Sequence, residues 1–135
     1  MNLKYLEQVP DIDQYWHLFA ETKWNDEYRF DKDELERSNH ESWYAVSVYK
    51  DDELVGFGRV ISDGIYHALI ADLIVKIEYQ KQGIGSKILK KLLDKCLYHN
   101  IRDIQLFAAK EKYGFYEKYN FKKRPNNAPG MQYEH

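Results

Sequence analysis

The sequence is poor in cysteine, with a single one, Cys96, in 135 residues. One cysteine forms no internal disulfide and cannot build a cysteine-based zinc site. Histidine is the other common zinc ligand, but the five histidines show no metal-ligand spacing. They are His17, His40, His67, His99 and His135. We therefore expect no metal, and the lack of a disulfide framework favours a reducing compartment, the cytoplasm.

Long apolar runs are also absent. The most apolar stretch, 68–75, is too short to span a bilayer and is interrupted by Asp72. The first seven residues, Met1 to Glu7, contain no apolar signal core. The sequence thus predicts neither a membrane span nor a secretion signal.

The chain carries little excess charge. Its 20 Lys and Arg nearly balance its 22 Asp and Glu, which gives a net charge of -2. A dedicated nucleic-acid binder shows a basic excess, so this class of function is disfavoured. The length of 135 residues, with 44% hydrophobic and 31% charged residues, is typical of one globular domain over 1–135.

Hydrophobic periodicity predicts an α+β fold with a mixed central β-sheet flanked by helices, in the order β-α-α-β-β-β-α-β-α-β-β. Parallel pairing is expected late in the chain, where strands alternate with helices. Asp11 and Asp31 are predicted helix N-caps, and the apolar residues between Ile84 and Leu97 form one stripe on the longest helix. The predicted strands are 3–9, 43–50, 54–62, 65–77, 101–108, 121–124 and 131–134, and the predicted helices are 12–19, 32–41, 83–98 and 111–119.

A glycine-containing loop precedes the longest predicted helix. It reads Gln80-Lys81-Gln82-Gly83-Ile84-Gly85-Ser86 and follows a predicted strand. The first amides of a helix lack internal partners and lie at the positive end of its dipole, and glycine lets the backbone approach an anion closely. The loop is therefore a candidate cradle for a pyrophosphate.

Other phosphate-binding motifs do not fit this loop. A dinucleotide-binding fingerprint requires a third glycine where Ile88 stands, and a P-loop requires Gly-Lys-Ser/Thr where the chain reads Gly85-Ser86-Lys87. The alternative without a ligand is that Gly83 and Gly85 only allow a tight turn from strand to helix. The preceding strand, the Gln at 80 and the long amphipathic helix favour anion binding.

Two segments together resemble the GCN5-related N-acetyltransferase (GNAT) family. Asp72-Leu73-Ile74-Val75 followed by Gln80 to Ser86 is similar to the acetyl-CoA segment of that family. Phe115-Tyr116-Glu117-Lys118-Tyr119-Asn120-Phe121 is similar to its second signature, Phe-Tyr-x-x-x-Gly-Phe. The predicted order of elements is similar over nearly the whole chain.

The resemblance implies which residues hold acetyl-CoA, the co-substrate of this family. In the family the third long strand diverges from the next parallel strand, and its free backbone binds the pantetheine arm. The amides of the loop bind the pyrophosphate. The cofactor-binding residues implied here are Leu73, Ile74, Val75, Gln80, Lys81, Gln82, Gly83, Ile84, Gly85, Ser86 and Tyr116.

The resemblance also implies catalytic residues. Tyr116 would be the general acid that protonates the leaving CoA thiolate, because a phenol is neutral and can donate at pH 7; the alternative is a tyrosine that only packs. Asp72 is the first candidate for the base that takes the proton of the amine, because it is a carboxylate within an otherwise apolar strand. Its alternative is a structural role in which it bonds neighbouring backbone amides. His67 and water are the other candidates for the base.

Two positions depart from the family pattern. Lys110 stands where many members have an Asn that bonds the pantetheine, so that contact is either lost or replaced by one from lysine to phosphate. Asn120 stands where members usually have Gly, which is a mild change because Asn tolerates left-handed backbone geometry.

An acidic and aromatic region lies near the two early helices. In the family this region borders the acceptor pocket, so its carboxylates would attract a cationic amine; the alternative is a solvated helix surface. The acidic residues are Asp26, Glu27, Asp31, Asp33, Glu34 and Glu36, and the candidate aromatic walls are Trp24, Tyr28, Phe30 and Tyr66.

The resemblance thus implies an enzyme that moves an acetyl group from acetyl-CoA to a primary amine of a small molecule. The amine would attack the thioester directly in a ternary complex. The implied partners are acetyl-CoA and the amine, with no nucleic acid and no membrane, and the dimers common in the family allow a homodimer. The alternative, motivated by Lys110 and the open choice of base, is an acyl-CoA-binding sensor or interaction module without turnover.

Overall fold

The computed structural model describes residues 2–135. The strands are β1 Leu3–Leu6, β2 Tyr44–Lys50, β3 Glu53–Ser62, β4 His67–Val75 and β5 Asp103–Leu106; the helices are α1 Ile12–Ala20, α2 Asn25–Tyr28, α3 Lys32–His40, α4 Ile84–Tyr98 and α5 Tyr113–Glu117; a 3-10 turn, Ile77–Tyr79, follows β4. The strands form one sheet in the order β1-β2-β3-β4-β5. Because β4 and β5 are parallel and all other neighbours antiparallel, the predicted mixed α+β fold is confirmed.

Both predicted N-caps are confirmed. The Asp11 carboxylate accepts a hydrogen bond from the amide of Gln14 at 3.1 Å. Asp31 and Glu34 form a capping box, in which each side chain accepts from the backbone amide of the other, at 2.8 and 3.0 Å. These bonds satisfy amides that have no partner inside the helix. They set where α1 and α3 begin, and both helices contribute to the core on one face of the sheet.

Helix α4 covers the other face and brings most of its apolar stripe into the core. Its buried residues are Ile84, Ile88, Leu89, Leu92 and Cys96, whereas Leu97 at the predicted end of the stripe is exposed. The helix approaches β3 so closely that a Cβ on Gly58 would stand 2.7 Å from Cγ2 of Ile88, so this position requires glycine. Each buried aliphatic side chain contributes about 1.5–3 kcal/mol to stability. This packing fixes the start of α4 relative to the end of β4.

Strand β4 contains a bulge at Asp72. The pairing between β3 and β4 shifts between Phe57 and Arg59, and two residues of β4, Asp72 and Leu73, oppose the single residue Gly58. Asp72 has a φ of 54°, in the left-handed region. An extra residue of this kind bends the strand and changes which face the following side chains occupy.

The predicted strands at 121–124 and 131–134 are wrong, since the structure has no strand in residues 121–135. The charged run Lys122-Lys123-Arg124 lacks the alternation of a half-buried strand. Pro125 and Pro129 have no amide hydrogen to donate to a ladder. Strand β5 therefore has no partner on its outer side among the described residues.

Several boundaries also differ from the predicted ones. Strand β1 ends at Leu6, three residues before the predicted end at Val9, while β4, β5 and α5 are shorter than predicted. The four-residue helix α2 was not predicted and buries none of its residues. No helix within residues 2–135 combines the length and the hydropathy needed to cross a membrane.

Candidate active site

The parallel strands β4 and β5 diverge toward one end of the sheet. Their pairing stops at Ile70 and Leu106, while β4 continues to Val75. Beyond Ile70, the side of β4 that faces β5 has no strand partner within residues 2–135. The divergence that the resemblance implied is thus present, and it leaves backbone donors and acceptors of β4 available to a ligand.

The glycine loop forms the N-terminus of α4. Gly83 is the N-cap and has a φ of 87°, which glycine adopts without steric cost. No side chain caps this helix, and the amides of Ile84, Gly85 and Ser86 donate to no protein oxygen within residues 2–135. Apart from the adjoining backbone, no atom of residues 2–135 lies within 4 Å of the place where a Cβ of Gly83 would stand. Free amides at the positive end of a helix, beside open space, fit the pyrophosphate of acetyl-CoA.

Gln80 fastens this loop to the end of β4. Its Nε2 donates to the backbone carbonyl of Val75 at 2.9 Å. The start of α4 also packs against the same residue, because a Cβ on Gly85 would meet Cγ2 of Val75 at the ordinary contact distance of 3.6 Å. The strand end and the helix start therefore form one continuous surface.

Tyr116 lies in α5 and packs against two other aromatic rings. Its ring meets those of Phe115 and Phe121 edge to face, with centroids 5.1 and 6.3 Å apart. Burial raises the pKa of Tyr116 above its ordinary value of 10.0. The phenol therefore stays protonated at neutral pH and is able to donate to an anion.

The strand end, the loop and Tyr116 line one cavity of about 650 Å³. This cavity, which we call the β4–α4 cavity, has the size of a small-ligand site. All the predicted cofactor-binding residues except Gln82 line it: Leu73, Ile74, Val75, Gln80, Lys81, Gly83, Ile84, Gly85, Ser86 and Tyr116. Ser86 at the end of the loop and Tyr116 are 30 residues apart in the sequence, yet both line this cavity. They meet because α4 packs back over the sheet.

The walls of this cavity carry charges of both signs. Lys81 in the loop and Lys112 and Lys118 at the two ends of α5 supply positive charge. The turn after α1 contributes Glu21 and, three residues on, the indole of Trp24. The lysines suit the phosphates of acetyl-CoA, and the carboxylate with the indole suits an amine that has an apolar body.

Glu21 connects the end of α1 to the turn after β4. Its carboxylate accepts from the Ile77 amide at 3.0 Å and from Nζ of Lys76 at 3.1 Å. Burial alone would raise the pKa of Glu21, but these two hydrogen bonds outweigh it and the pKa lies below its ordinary 4.5. Glu21 is therefore ionised at neutral pH and holds this wall of the cavity in place.

The two side chains predicted as candidate bases do not line the cavity that Tyr116 lines. Asp72 does not line the β4–α4 cavity, and its Oδ2 accepts from Nε of Arg59 at 2.7 Å. Its partner is thus a guanidinium rather than the backbone amides of its predicted structural role. His67 lies at the far end of β4, where its Nδ1 is 2.6 Å from Oδ2 of Asp103. The structure does not bring either side chain together with Tyr116.

The two departures from the family pattern have different outcomes. Lys110 is exposed and does not line the cavity, whereas Lys112 does. Asn120 has a φ of 70°, so this position adopts the left-handed geometry that the usual glycine would allow. The Asn is therefore compatible with the local backbone, as predicted.

Of the predicted acceptor region, Trp24 alone lines the cavity. The rings of Tyr28 and Phe30 stack on each other with centroids 5.6 Å apart, and Tyr66 stacks on His67. The predicted acidic residues do not line this cavity; some serve α3 instead, as in the capping box and in the ion pair of Asp33 with Arg37 at 2.8 Å. The solvated helix surface is thus the reading that fits those carboxylates.

The sequence did not indicate several lining residues, among them Glu21 and Lys112. Glu21 belongs to no motif, and it reaches the site only because α1 packs across the sheet to the turn after β4. Lys112 precedes the second signature by three residues, and that proximity was the one available signal. In the described part of the chain, no three His, Cys, Asp or Glu side chains come together as a metal site.

Comparison with known proteins gives consistent results. The family described as "Acetyltransferase (GNAT) domain" matches residues 17–129. GCN5-related N-acetyltransferase 2, chloroplastic, from Arabidopsis thaliana is 35% identical over 82 residues, which are 61% of this chain and 32% of that protein. The uncharacterized N-acetyltransferase ycf52 of Porphyra purpurea is 33% identical over 95 residues, 68% of this chain and 55% of that protein. The chain therefore spans between about a third and about half of the length of these curated relatives.

Solved structures show the same fold. A GNAT family acetyltransferase from Streptococcus pneumoniae TIGR4 superposes with a TM-score of 0.83 at 26% identity, over 99% of this chain and 98% of that one. Glucosamine-6-phosphate N-acetyltransferase from Arabidopsis thaliana superposes with a TM-score of 0.75 at 15% identity, over 100% and 98%, which concerns the fold alone. The family model matches most of the chain, and the fold is shared with a solved member of that family. The divergent strands beside a glycine loop agree with both findings. The chain therefore belongs to the GNAT acetyltransferase family.

Proposed function

We propose that this protein transfers an acetyl group from acetyl-CoA to a primary amine of a small molecule, and that the reaction takes place in the β4–α4 cavity. One observation carries the proposal: a single cavity is lined by the end of β4 beyond its pairing with β5, by the free amides at the start of α4 and by a protonated Tyr116. The first two suit the pantetheine and the pyrophosphate, and the third suits a leaving thiolate.

The proposed reaction is a direct transfer. The nitrogen of the neutral amine attacks the thioester carbonyl, a C–N bond forms, and the C–S bond breaks. The thiolate that leaves takes the proton of the Tyr116 hydroxyl, and solvent returns a proton to the phenolate. Water takes the proton that the amine loses, since the one carboxylate among the lining residues, Glu21, is already bonded to Lys76 and to the Ile77 amide.

A small acceptor is supported by two residues of the cavity wall, Trp24 and Glu21. Trp24 offers an apolar face, and Glu21 offers negative charge beside it. An amine with an apolar body would place its ring or chain on the indole and its nitrogen toward the carboxylate side. Peptide lysines have the same nucleophile, so they form the comparison group in the test below.

The test is amine-dependent release of CoA from acetyl-CoA, followed with a thiol reagent. The acceptor panel contains polyamines, arylalkylamines, aminoglycosides, amino acids and lysine-containing peptides, and a reaction without amine measures hydrolysis. We expect release above hydrolysis with a small amine, accompanied by an equal amount of the N-acetyl product. Release with peptides alone would refute the small-molecule acceptor. Binding of acetyl-CoA without release for any amine would favour a sensor without turnover.

A further inference from the structure

The bulge in β4 determines which residues reach the β4–α4 cavity. Before the bulge, Ala68 and Ile70 are buried in the core beneath α4. After it, Leu73 and Val75 pack on that same core, while Ile74 is buried on the opposite face with α1 and α3. In a regular strand Ile74 would share the face of Ile70, because side chains alternate with a period of two. The extra residue therefore sets the orientation of the segment 73–75 that lines the cavity.

The bulge depends on an unusual backbone conformation at Asp72. Its φ of 54° lies in the left-handed region, which side chains with a Cβ rarely adopt, although Asp tolerates it better than most. A conformation of this kind persists where the surroundings hold it. The most direct restraint is the Asp72 carboxylate, whose Oδ2 is 2.7 Å from Nε of Arg59.

Arg59 joins this carboxylate to the end of α3. Its Nη1 donates to the Ser38 carbonyl at 2.9 Å, and its Nη2 to Ser38 Oγ at 3.1 Å. A longer bond runs from Nη1 to Ser42 Oγ at 3.3 Å. The Arg59 side chain is 11% exposed and that of Asp72 26%. The guanidinium is thus fixed from two sides, and Asp72 is held by a group that cannot move freely.

We propose that Arg59 is a positioning residue for acetyl-CoA binding. Its ion pair with Asp72 holds the left-handed bulge, and the bulge presents the backbone of Leu73 to Val75 to the β4–α4 cavity. The inference rests on the proposed function for its ligand. It assigns Asp72 to backbone geometry rather than to proton transfer.

The first experiment replaces the guanidinium and measures binding and turnover. Arg59→Met keeps the length of the side chain and removes its donors. The matched control is Arg37→Met, which breaks another Arg–Asp pair, at 2.8 Å and exposed on α3. We expect Arg59→Met to raise the Kd and the KM for acetyl-CoA at least about fivefold, with kcat at saturation within about threefold of the parent. The control keeps the parental values. An unchanged Kd and KM in folded Arg59→Met would overturn the proposal.

The second experiment separates backbone geometry from carboxylate chemistry, and does not require Arg59→Met to fold. Asp72→Gly and Asp72→Ala both remove the carboxylate, but glycine alone adopts a positive φ without strain. We expect the Gly variant to bind acetyl-CoA at least roughly fivefold more tightly than the Ala variant. Equal affinities in the two variants would overturn the proposal. If both variants instead lost more than about a hundredfold in kcat while their affinity for acetyl-CoA was unchanged, Asp72 would be the general base and the proposal would be wrong.

The backbone conformation of the bulge can be measured in the free protein, independently of acetyl-CoA binding. Backbone chemical shifts report φ at Asp72 and Leu73 in the free protein. We expect the positive-φ signature in the parent, in Arg37→Met and in Asp72→Gly, and its loss in Arg59→Met and Asp72→Ala. A signature that survives in Arg59→Met would overturn the positioning role. A parent that shows the signature but binds no acetyl-CoA would refute the proposed function instead.

Discussion

Nε2 of Gln80 donates to the backbone carbonyl of Val75 at 2.9 Å, and this bond joins the loop before α4 to the last residue of β4. The glutamine of the loop motif therefore acts through the protein's own backbone. It holds the free helix amides beside the end of β4, which has no strand partner on its β5 side among the described residues. These are the two surfaces that acetyl-CoA would occupy together.

Loss of this bond should weaken binding without unfolding the protein. Gln80→Met keeps the size of the side chain and removes its donor. We expect the Kd for acetyl-CoA, measured by calorimetry, to rise by about three- to tenfold, since one hydrogen bond contributes about 1 kcal/mol. The matched control is Gln105→Met in β5, where Nε2 of the exposed Gln105 donates to Asp103 outside the β4–α4 cavity. A similar loss in both variants would mean that Gln80 has no special role in binding.

A side chain at Gly83 should obstruct the phosphate cradle. The position has a φ of 87° and open space where a Cβ would stand, so a valine there is strained and projects into the space beside the free amides. We expect Gly83→Val to weaken acetyl-CoA binding at least tenfold, roughly 1.4 kcal/mol or more. Gly114→Val is the control, because Gly114 also faces open space but does not line the β4–α4 cavity. Unchanged affinity in a folded Gly83→Val protein would place the cofactor site elsewhere.

The hydroxyl of Tyr116 should matter for chemistry and little for binding. Tyr116→Phe keeps the ring and its packing against Phe115 and Phe121. If the hydroxyl protonates the thiolate, steady-state kinetics should show kcat reduced by roughly 10²–10⁴ and little change in the KM for acetyl-CoA. Since burial raises the pKa of Tyr116 above 10.0, any fall in kcat that follows ionisation of this phenol should have its midpoint above that pH.

Tyr113→Phe is the matched control for that substitution. Tyr113 lies one turn earlier in the same helix and does not line the β4–α4 cavity. Its loss of a hydroxyl should leave turnover near the parental value. Turnover of Tyr116→Phe within about threefold of the parent would end the general-acid assignment and leave water as the proton source.

Glu21 should stabilise the fold above its pKa and cease to do so in acid. Its pKa in the folded protein is below the ordinary 4.5, so its contribution is complete above that pH and is lost as the pH falls through the lower folded value. At neutral pH, Glu21→Gln should lower the free energy of unfolding by about 1–2 kcal/mol, because the ion pair with Lys76 is lost. Denaturant unfolding of parent and variant at several pH values measures this difference, which should shrink below pH 4.5.

The control for Glu21 is another carboxylate near the same lysine. Oε1 of Glu78 is 3.6 Å from Nζ of Lys76, and the Glu78 side chain is 65% exposed. Glu78→Gln should therefore change the free energy of unfolding by less than about 0.5 kcal/mol. A difference between parent and Glu21→Gln that does not depend on pH would contradict the ionic origin of the effect.

Local patterns in the sequence predicted the features that neighbouring residues determine. The caps at Asp11 and Asp31, the apolar stripe of α4 and the loop with Gly83 all follow from residues within a few positions of each other. The sequence signatures also predicted most of the residues that line the β4–α4 cavity, because β4, the loop and α4 are consecutive in the chain.

Local sequence patterns could not predict contacts between segments that are distant in the chain. Glu21 and Lys76 are 55 residues apart, and Arg59 and Asp72 lie on different strands, 13 residues apart. Their pairing depends on how α1 and α3 cross the sheet and on a bulge in β4, a strand that contains no glycine or proline to indicate it. The predicted strands after Phe121 failed for a related reason, since strand propensity alone does not supply a partner for the ladder.

The most direct test of the account is backbone amide NMR of the whole chain during titration with CoA. We expect the largest shifts at Leu73 to Val75 and at Gly83 to Ser86, because these residues line the β4–α4 cavity. A second cavity of about 580 Å³, between β5 and residues 121–130, provides an internal comparison. Shifts concentrated at that second cavity, or no shifts at saturating CoA, would contradict the account.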